Sequence, residues 1–341
     1  MDQARAADGR PAPPAPAGPV TWTLVARNSA LECLLAFALL FGVTTIVRWI
    51  AGPSPVSAAI PYPHLKLLVI GACVGPLLAG LILSPAGKAS GGHINPAISL
   101  AMWRFGVFPG AAVVPYIVAQ LAGSLLGVLA GRAVWGRAAG RPPVSDAALQ
   151  PGLGWSAGAL FVAETASMAV IVLLVGLFLS VPRLAPLVPW LVGLLIGMAV
   201  PLLGTTTGGS VNPARQFGPA IVSGQLDFLW VYLLAPMVGA VAATSLRNRF
   251  LKRRAIRTYR LCGTDCADSP PARPVDRVEA FEGTGLLMLA LHRPPGRLRP
   301  HIGPVVHVAV RRLSRRWTPR PPCPPRPPCP PRPPCRPRPP R

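Results

Sequence analysis

The stretch SGGHINPAISLA, residues 90–101, joins a glycine-rich turn, an Asn-Pro-Ala triplet and the start of a short apolar segment. Asn is a favoured N-cap residue, and Pro is favoured at the first helical position because it lacks the N–H that would be unpaired there. The triplet therefore predicts a helix start at Pro96. A second stretch of the same design, TGGSVNPARQFG, occupies residues 207–218 and predicts a helix start at Pro213.

The surrounding chain is apolar enough for a lipid bilayer. Of its 341 residues, 51% are hydrophobic and only 13% are charged, and the mean hydropathy is +0.45. A run of about 20 apolar residues is long enough to cross a bilayer as a helix. Six runs near that length lie at residues 28–50, 65–83, 111–135, 156–181, 185–203 and 228–246. The apolar segments 96–105 and 213–223 are too short to cross, so the sequence predicts an all-α membrane protein with six transmembrane helices and two re-entrant half-helices.

The two halves of the chain repeat the same order of span, span, half-helix and span. Because each half has three crossings, the second half must lie inverted relative to the first. Inverted repeats with broken helices place helix ends near the middle of the membrane, with a substrate path between the repeats. The predicted organisation is a disordered leader at residues 1–27, a first repeat at 28–135, a connecting loop at 136–155, a second repeat at 156–249 and a disordered, basic Pro/Arg-rich tail at 250–341.

The net charge of +23 is concentrated at the C-terminal end. Residues 247–341 contain 22 of the 34 Lys and Arg residues and five acidic residues, which gives them a net charge of +17. Basic residues favour the cytoplasmic side of a membrane, so the tail predicts that both termini are cytoplasmic. The expected location is the plasma (inner) membrane. Two interpretations of the tail stay open, attachment to anionic lipid or nucleic acid and an unstructured extension.

The paired motifs also predict a chemistry. Two helix starts that face each other aim two positive dipole ends at one point, which opposes cations and hydrated protons. The amides of Asn95 and Asn212 offer N–H donors to an oxygen that passes between them. Arg215 lies in the first turn of the second half-helix, where it would contact solutes at a constriction; the alternative is a side chain that extends to the surface. The pattern predicts a path for small neutral molecules.

Three further polar residues have two interpretations each. Glu32 and Glu164 are the only acidic residues within the six spans, and they occupy matching places in the two repeats. Each would accept hydrogen bonds from backbone N–H groups of a re-entrant loop, which explains the symmetry; the alternative is a proton relay. His93 precedes Asn95 by two residues, and it either narrows one vestibule of the path or is a loop histidine with satisfied hydrogen bonds.

The sequence resembles the aquaporin, or major intrinsic protein, family over about residues 28–248. The resemblance rests on HINPAISLA, on NPAR, on YIVAQLAG at residues 116–123 and on the two glutamates within the spans. It implies six tilted helices and two half-helices, assembled as a homotetramer with a pore in each subunit. It assigns the pore centre to Asn95, Pro96, Ala97, Asn212, Pro213 and Ala214, the selectivity filter to Arg215, and the adjacent pore wall to Ile94 and Val211.

The remaining filter positions depart from the better-known members of that family. The family spacing places them at Val200, at Gly209 and at Gly75, or at Val74 if one residue is inserted. The resemblance implies His at the first position and an aromatic residue in water-selective members, and two aromatic residues in glycerol facilitators; this chain has neither pattern. We therefore expect a wide constriction and a passive channel for water, glycerol, urea and neutral metalloid acids that excludes protons and cations.

Two rival functions remain open. Inverted repeats with broken helices also occur in ion-coupled secondary transporters, but coupling needs an ion or proton site at the midplane, whereas the two glutamates lie near span ends. A third hypothesis treats the pore as vestigial and the tail as a membrane or nucleic-acid tether.

No enzyme activity, cofactor or metal is predicted, since the seven cysteines show no ligand spacing. The expected partners are the bilayer, the transported solutes and, through the tail, anionic lipid.

Overall fold

Helices build the whole frame of the protein in a computed structural model that describes residues 21–250 and 255–263. Both stretches belong to one compact unit; a second unit, residues 278–341, lies outside the described residues. Short 3₁₀ turns occupy Gly110–Ala112, Ser145–Ala147 and Ala185–Leu187. In chain order the α-helices are α1 (Trp22–Ile50), α2 (Pro55–Ala58), α3 (Pro63–Leu83), α4 (Pro85–Ser90), α5 (Pro96–Arg104), α6 (Val113–Trp135), α7 (Arg137–Gly140), α8 (Ala157–Leu179), α9 (Val188–Leu203), α10 (Pro213–Ser223) and α11 (Leu229–Phe250).

Six segments are long and apolar enough to cross a membrane: the helices α1, α3, α8 and α11, and the helices α6 and α9 taken together with the 3₁₀ turns that precede them. They confirm the six spans predicted from the sequence. The first span begins earlier than expected, because α1 starts at Trp22 and its residues 22–27 were predicted to belong to the disordered leader. That boundary was wrong because Arg27 is exposed and does not interrupt the helix, whereas Val25 packs into the core.

An even number of crossings places the start of α1 and the end of α11 on the same side of the membrane. We call this the terminal side and the opposite side the distal side. The re-entrant loop before α5 enters from the terminal side, and the loop before α10 enters from the distal side. The two repeats are thus inverted relative to each other, as the sequence predicts.

Glycines allow the long helices to approach each other closely. The helix α1 packs on α6, α3 packs on α9, and α8 packs on α11. A Cβ atom added at Gly123 would lie 2.1 Å from the carbonyl oxygen of Cys33, and one added at Gly71 would lie 2.1 Å from that of Gly197. Small residues at such crossings permit the backbone contacts that hold membrane helices together.

The two half-helices start inside the frame. α5 has nine residues and α10 has eleven, so at about 1.5 Å per residue neither spans a bilayer core of about 30 Å. Each is capped by its asparagine: Oδ1 of Asn95 accepts from the N–H of Ala97, and Oδ1 of Asn212 accepts from that of Ala214, both at 2.9 Å. The predicted helix starts at Pro96 and Pro213 are confirmed.

Residues 255–263 form an ordered segment on the terminal side. The sequence analysis placed them in a disordered tail, and that prediction is wrong for this stretch. Ile256 and Leu261 are buried in the main hydrophobic core, so the segment has the apolar residues it needs to pack, although its neighbours in the chain are basic. The predicted leader before residue 21 and the tail from residue 264 lie outside the described residues.

Candidate transport pore

The two Asn-Pro-Ala turns meet through reciprocal hydrogen bonds. Nδ2 of Asn95 donates to the carbonyl of Val211, and Nδ2 of Asn212 donates to the carbonyl of Ile94, each at 3.0 Å. A side-chain amide has two N–H donors, so one N–H of each asparagine remains for another acceptor. Both asparagines line the same cavity, where that acceptor would be a solute oxygen.

The turns before the asparagines hold a strained backbone. Ile94 has a φ of 51° and Val211 a φ of 43°, in the left-handed region that β-branched residues rarely adopt. Such a conformation costs about 1–3 kcal/mol per residue and persists only where the surroundings enforce it. The two glutamates of the spans supply that constraint.

Glu32 and Glu164 bind the re-entrant loops in the same way. Oε2 of Glu32 accepts from the N–H of Ile94 at 2.7 Å and Oε1 from that of His93 at 3.0 Å. Oε2 of Glu164 accepts from the N–H of Val211 at 2.7 Å and Oε1 from that of Ser210 at 3.2 Å. These are the backbone contacts that the symmetry of the sequence predicts.

Glu32 carries a larger network than the sequence indicates. Its carboxylate also accepts from Oγ of Ser90 at 2.7 Å and from Nε2 of Gln120 at 2.8 Å. Gln120 is fully buried on α6 and also donates to Oγ of Ser99, so it joins the first span to the half-helix. Gln120 lies within the YIVAQLAG stretch of the resemblance, but no role was predicted for its side chain.

A cavity of about 310 Å³ runs from His93 to Arg215 past both asparagines. One part of its wall is apolar, formed by Leu39, Val43, Ile70, Val74, Leu78, Ile171, Val192, Ile196 and Val200. Arg215 is the only Lys, Arg, Asp or Glu among the described residues of the wall, and no Phe, Tyr or Trp is found among them. The cavity wall therefore combines Arg215 and the two asparagines with a larger set of aliphatic side chains.

Arg215 is held by the loop between α6 and α8. Its Nη1 donates to the carbonyl of Ala147 at 2.6 Å, and the neighbouring Gln216 exchanges two hydrogen bonds of 2.9 Å with the backbone of Leu149. Both loop residues line the cavity. The sequence analysis treated residues 136–155 as a connection, because the contribution is made by backbone atoms of a loop without a recognisable motif.

An ion pair with one buried partner, Asp146, and one half-exposed partner, Arg132, lies beside this loop. The carboxylate of Asp146, which has no exposed surface, lies 3.4 Å from Nη1 of Arg132, and the same guanidinium nitrogen donates to the carbonyl of Val222 at 2.8 Å. Burial raises the pKa of the Asp146 carboxyl, and the positive charge of Arg132 partly opposes that rise. Asp146 directly precedes Ala147, so this pair lies next to the carbonyl that contacts Arg215.

The structure resolves the alternative between Gly75 and Val74. Val74 lines the cavity, whereas Gly75 faces α9, where an added Cβ would lie 2.7 Å from the carbonyl oxygen of Gly193. The placement of Gly75 in the filter was wrong, because the family spacing points to the position that packs against α9. Val200 and Gly209 both line the cavity, as expected.

The placement of Val211 on the cavity wall was also wrong. Ile94 lines the cavity, but Val211 is fully buried and lies outside its wall. The backbone of Val211 is engaged on both sides, because its N–H donates to Glu164 and its carbonyl accepts from Asn95. Its contribution is a backbone contact rather than a pore surface.

His93 fits both interpretations offered by the sequence. It lines the terminal-side end of the cavity and is only 2% exposed. Its Nδ1 pairs with Oγ of Ser99 and its Nε2 with the carbonyl of Tyr259, each at 3.1 Å. The ring is therefore a satisfied loop histidine that also limits the cavity.

Six crossing helices and two half-helices that start face to face define a membrane channel built from an inverted repeat. The major intrinsic protein family model matches residues 23–246. The chain is 39% identical over 193 residues to a probable aquaporin, AqpM, of Archaeoglobus fulgidus, across 54% of this chain and 76% of the relative. It is 31% identical over 226 residues to the probable aquaporin NIP7-1 of Arabidopsis thaliana, across 65% and 76% respectively. The chain belongs to the major intrinsic protein family.

The fold is similar to that of a solved channel. The X-ray structure of the aquaglyceroporin from Plasmodium falciparum aligns with a TM-score of 0.52 and 21% identity, across 67% of this chain and 97% of the other. This likeness concerns the fold. It agrees with the six crossings and two half-helices described above.

Proposed function

We propose that the protein is a passive channel that conducts water and small uncharged solutes and excludes protons and other cations. The cavity that passes between the two Asn-Pro-Ala turns carries this proposal, because Asn95 and Asn212 each keep one N–H donor at its wall. A solute oxygen that accepts from these donors replaces hydrogen bonds that it made to water, so the free-energy cost of its dehydration is small. The membrane location and family membership support the same function.

Cation exclusion is supported by the charges that surround the path. α5 and α10 both direct their N-terminal ends at the middle of the cavity, and each end is equivalent to about half a positive elementary charge. Arg215 adds a full positive charge on the distal side. A cation would meet both barriers without any acidic residue in the described wall to offset them.

The composition of the wall favours a broad range of neutral solutes. Val74, Val200 and Gly209 leave room that aromatic rings would fill, and the apolar residues of the wall suit the carbon side of a polyol. A molecule such as glycerol would place its hydroxyl groups against Arg215 and the asparagines and its CH groups against the valines. We therefore propose glycerol, urea and neutral metalloid acids as solutes beside water.

Ion-coupled transport receives no support from the two buried glutamates. Both carboxylates are fully buried and accept hydrogen bonds from backbone N–H groups of the loops. Neither glutamate lines the cavity. A proton relay needs a carboxylate that faces the transported ion. The geometry of Glu32 and Glu164 supports a structural role, so we propose no enzymatic or energy-coupled step.

The proposal extends to placement and assembly. The basic residues after α11 support a cytoplasmic terminal side in the plasma (inner) membrane. Membership of the family supports a homotetramer with a pore in each subunit. The basic tail would contact anionic lipid at that surface.

The test is to measure solute selectivity in proteoliposomes. Water, glycerol, urea and a neutral metalloid acid are compared by stopped-flow light scattering, with the protein and without it. We expect the protein to raise the permeability for all four, whereas a rise for water alone would refute the broad range. Uptake that depends on a proton or sodium gradient would instead favour the transporter.

A further inference from the structure

Residues 255–263, which we call the strap, contact His93 and the first re-entrant loop next to the terminal-side end of the cavity. The N–H of Leu261 donates to the carbonyl of Gly91 at 2.9 Å, and the carbonyl of Tyr259 pairs with Nε2 of His93 at 3.1 Å. At its far end Gly263 lies against Ala185, where an added Cβ would be 2.1 Å from the carbonyl oxygen. The strap thus connects the first re-entrant loop with the turn before α9.

The ring of Tyr259 packs beside His93 and Phe108. Its centroid lies 5.4 Å from that of Phe108 and 6.1 Å from that of His93. Gly91 receives the same ring closely, since an added Cβ would lie 2.9 Å from it. Gly91 also has a φ of 112°, so both its conformation and its surroundings require glycine. The ring of Tyr259 therefore packs closely against His93, Phe108 and Gly91.

Most of the strap is buried. Ile256, Thr258, Arg260, Leu261 and Cys262 have less than a tenth of their surface exposed, whereas Ala255 and Arg257 are exposed. His93 is only 2% exposed although it lines the cavity. On the distal side Arg215 retains partial exposure. His93, which limits the terminal-side end of the cavity, is thus buried against the strap.

We infer that the terminal-side mouth of the cavity is a binding site for an extended peptide segment with an aromatic side chain, and that the strap is its occupant. The site offers the carbonyl of Gly91 and Nε2 of His93 to the peptide backbone, and an aromatic pocket to Tyr259. The strap closes the path while it is bound, and its release opens the channel. The inference rests on channel activity and adds its regulation.

Two truncations isolate the strap. Residues 1–263 keep it and lack the tail, and residues 1–250 lack both. Water permeability per incorporated channel is measured in proteoliposomes for these chains and for the full chain. If the strap is bound in about nine-tenths of the channels, residues 1–250 conduct about tenfold more water than residues 1–263. Equal permeability of the two truncations, or no water flow through residues 1–250, overturns the inference.

A point variant gives the same test in a chain of full length. Tyr259→Ala removes the ring beside His93, and Arg257→Ala alters an exposed residue of the same strap as a matched control. We expect Tyr259→Ala to raise water permeability toward the level of residues 1–250 and Arg257→Ala to leave it unchanged. No rise with Tyr259→Ala, or an equal rise in both variants, contradicts the inference.

A peptide of residues 255–263 then tests the site itself. Added on both sides of vesicles that contain residues 1–250, it should lower their permeability to that of residues 1–263, and the same peptide with Ala in place of Tyr259 should not. No inhibition by either peptide contradicts the binding site. The ratio of glycerol to water permeability tests the proposed selectivity separately, because the strap changes the number of open channels.

Discussion

Asn95 and Asn212 are linked across the two repeats, because the side-chain amide of each donates at 3.0 Å to the carbonyl of the residue before the other. The same side chains cap α5 and α10 through their Oδ1 atoms. Each asparagine therefore fixes its own helix start, holds the opposite turn and keeps one N–H for the cavity. This reciprocity keeps both positive helix ends directed at the same point.

Replacing one of these amides by a carboxylate should weaken cation exclusion. Asn212→Asp retains the Oδ1 cap, since Asp and Asn are similar N-caps, but it loses the donor to the carbonyl of Ile94 and adds a negative charge between the helix ends. We expect potassium permeability of proteoliposomes to rise about tenfold. Asn212→Ala, which removes the amide without adding charge, serves as the control and should give a smaller rise. Equal leakage in both variants would contradict the electrostatic barrier.

The buried glutamates should matter for stability rather than for coupling. In the native protein each carboxylate oxygen of Glu164 accepts from one backbone N–H, that of Ser210 or Val211. Glu164→Gln replaces one of these oxygens by an NH₂ group, which cannot accept and would face the N–H of the loop. We expect a loss of about 2–4 kcal/mol, by analogy with other hydrogen bonds to buried charges, seen as a lower unfolding temperature in detergent. Asp227→Asn, at an exposed acid on the distal side, should change little. Loss of a gradient-driven flux in Glu164→Gln, with unchanged stability, would support a relay instead.

The width of the path should depend on Val200. Val200→Phe adds a ring at the cavity wall, so we expect glycerol permeability to fall about tenfold while water permeability falls much less. Leu202→Phe, two residues along α9 at a side chain that is 66% exposed, provides the control. Parallel stopped-flow measurements with glycerol and water check the ratio. An equal effect of the two substitutions would show that Val200 does not set the width.

The loop that holds Arg215 should be less stable at neutral than at acidic pH. Burial raises the pKa of Asp146, so the folded protein holds this proton more tightly than the unfolded chain, in which the pKa of Asp is about 3.9. Below about pH 3.9 the carboxyl is protonated in both states and does not reduce the free energy of unfolding. As pH rises through the higher pKa of Asp146 in the folded protein, the buried group ionises and the free energy of unfolding falls. We expect Asp146→Asn to raise the unfolding temperature at pH 7 and to remove part of its pH dependence. A scan from pH 4 to pH 7 that showed the same slope in both proteins would contradict this account.

The frame of the fold could be predicted from the sequence because it depends on local patterns. Six apolar runs of membrane length and two Asn-Pro caps specify the helices, and the matching positions of Glu32 and Glu164 in the two repeats indicate their backbone contacts. The predicted half-helix boundaries at Pro96 and Pro213 agree with the structure. These features need no knowledge of distant contacts.

The parts that could not be predicted depend on distant contacts. Nothing in the composition of residues 144–150 shows that the carbonyl of Ala147 reaches Arg215. Whether Gly75 or Val74 faces the cavity depends on the rotation of α3 against α9, which one inserted residue changes by about 100°. The order of the strap was not predicted because the basic residues around it give the whole C-terminal region the composition of a disordered tail.

In the channel that we propose, water flows passively past Asn95 and Asn212, and ions do not pass with it. Stopped-flow shrinkage of proteoliposomes that contain residues 1–250 tests it most directly, with internal pH recorded by an enclosed dye in the same vesicles. We predict that water permeability rises well above that of empty vesicles, while an imposed pH gradient decays no faster than in empty vesicles. Water permeability equal to that of empty vesicles, or a proton leak that rises in step with the water flow, would contradict the claim.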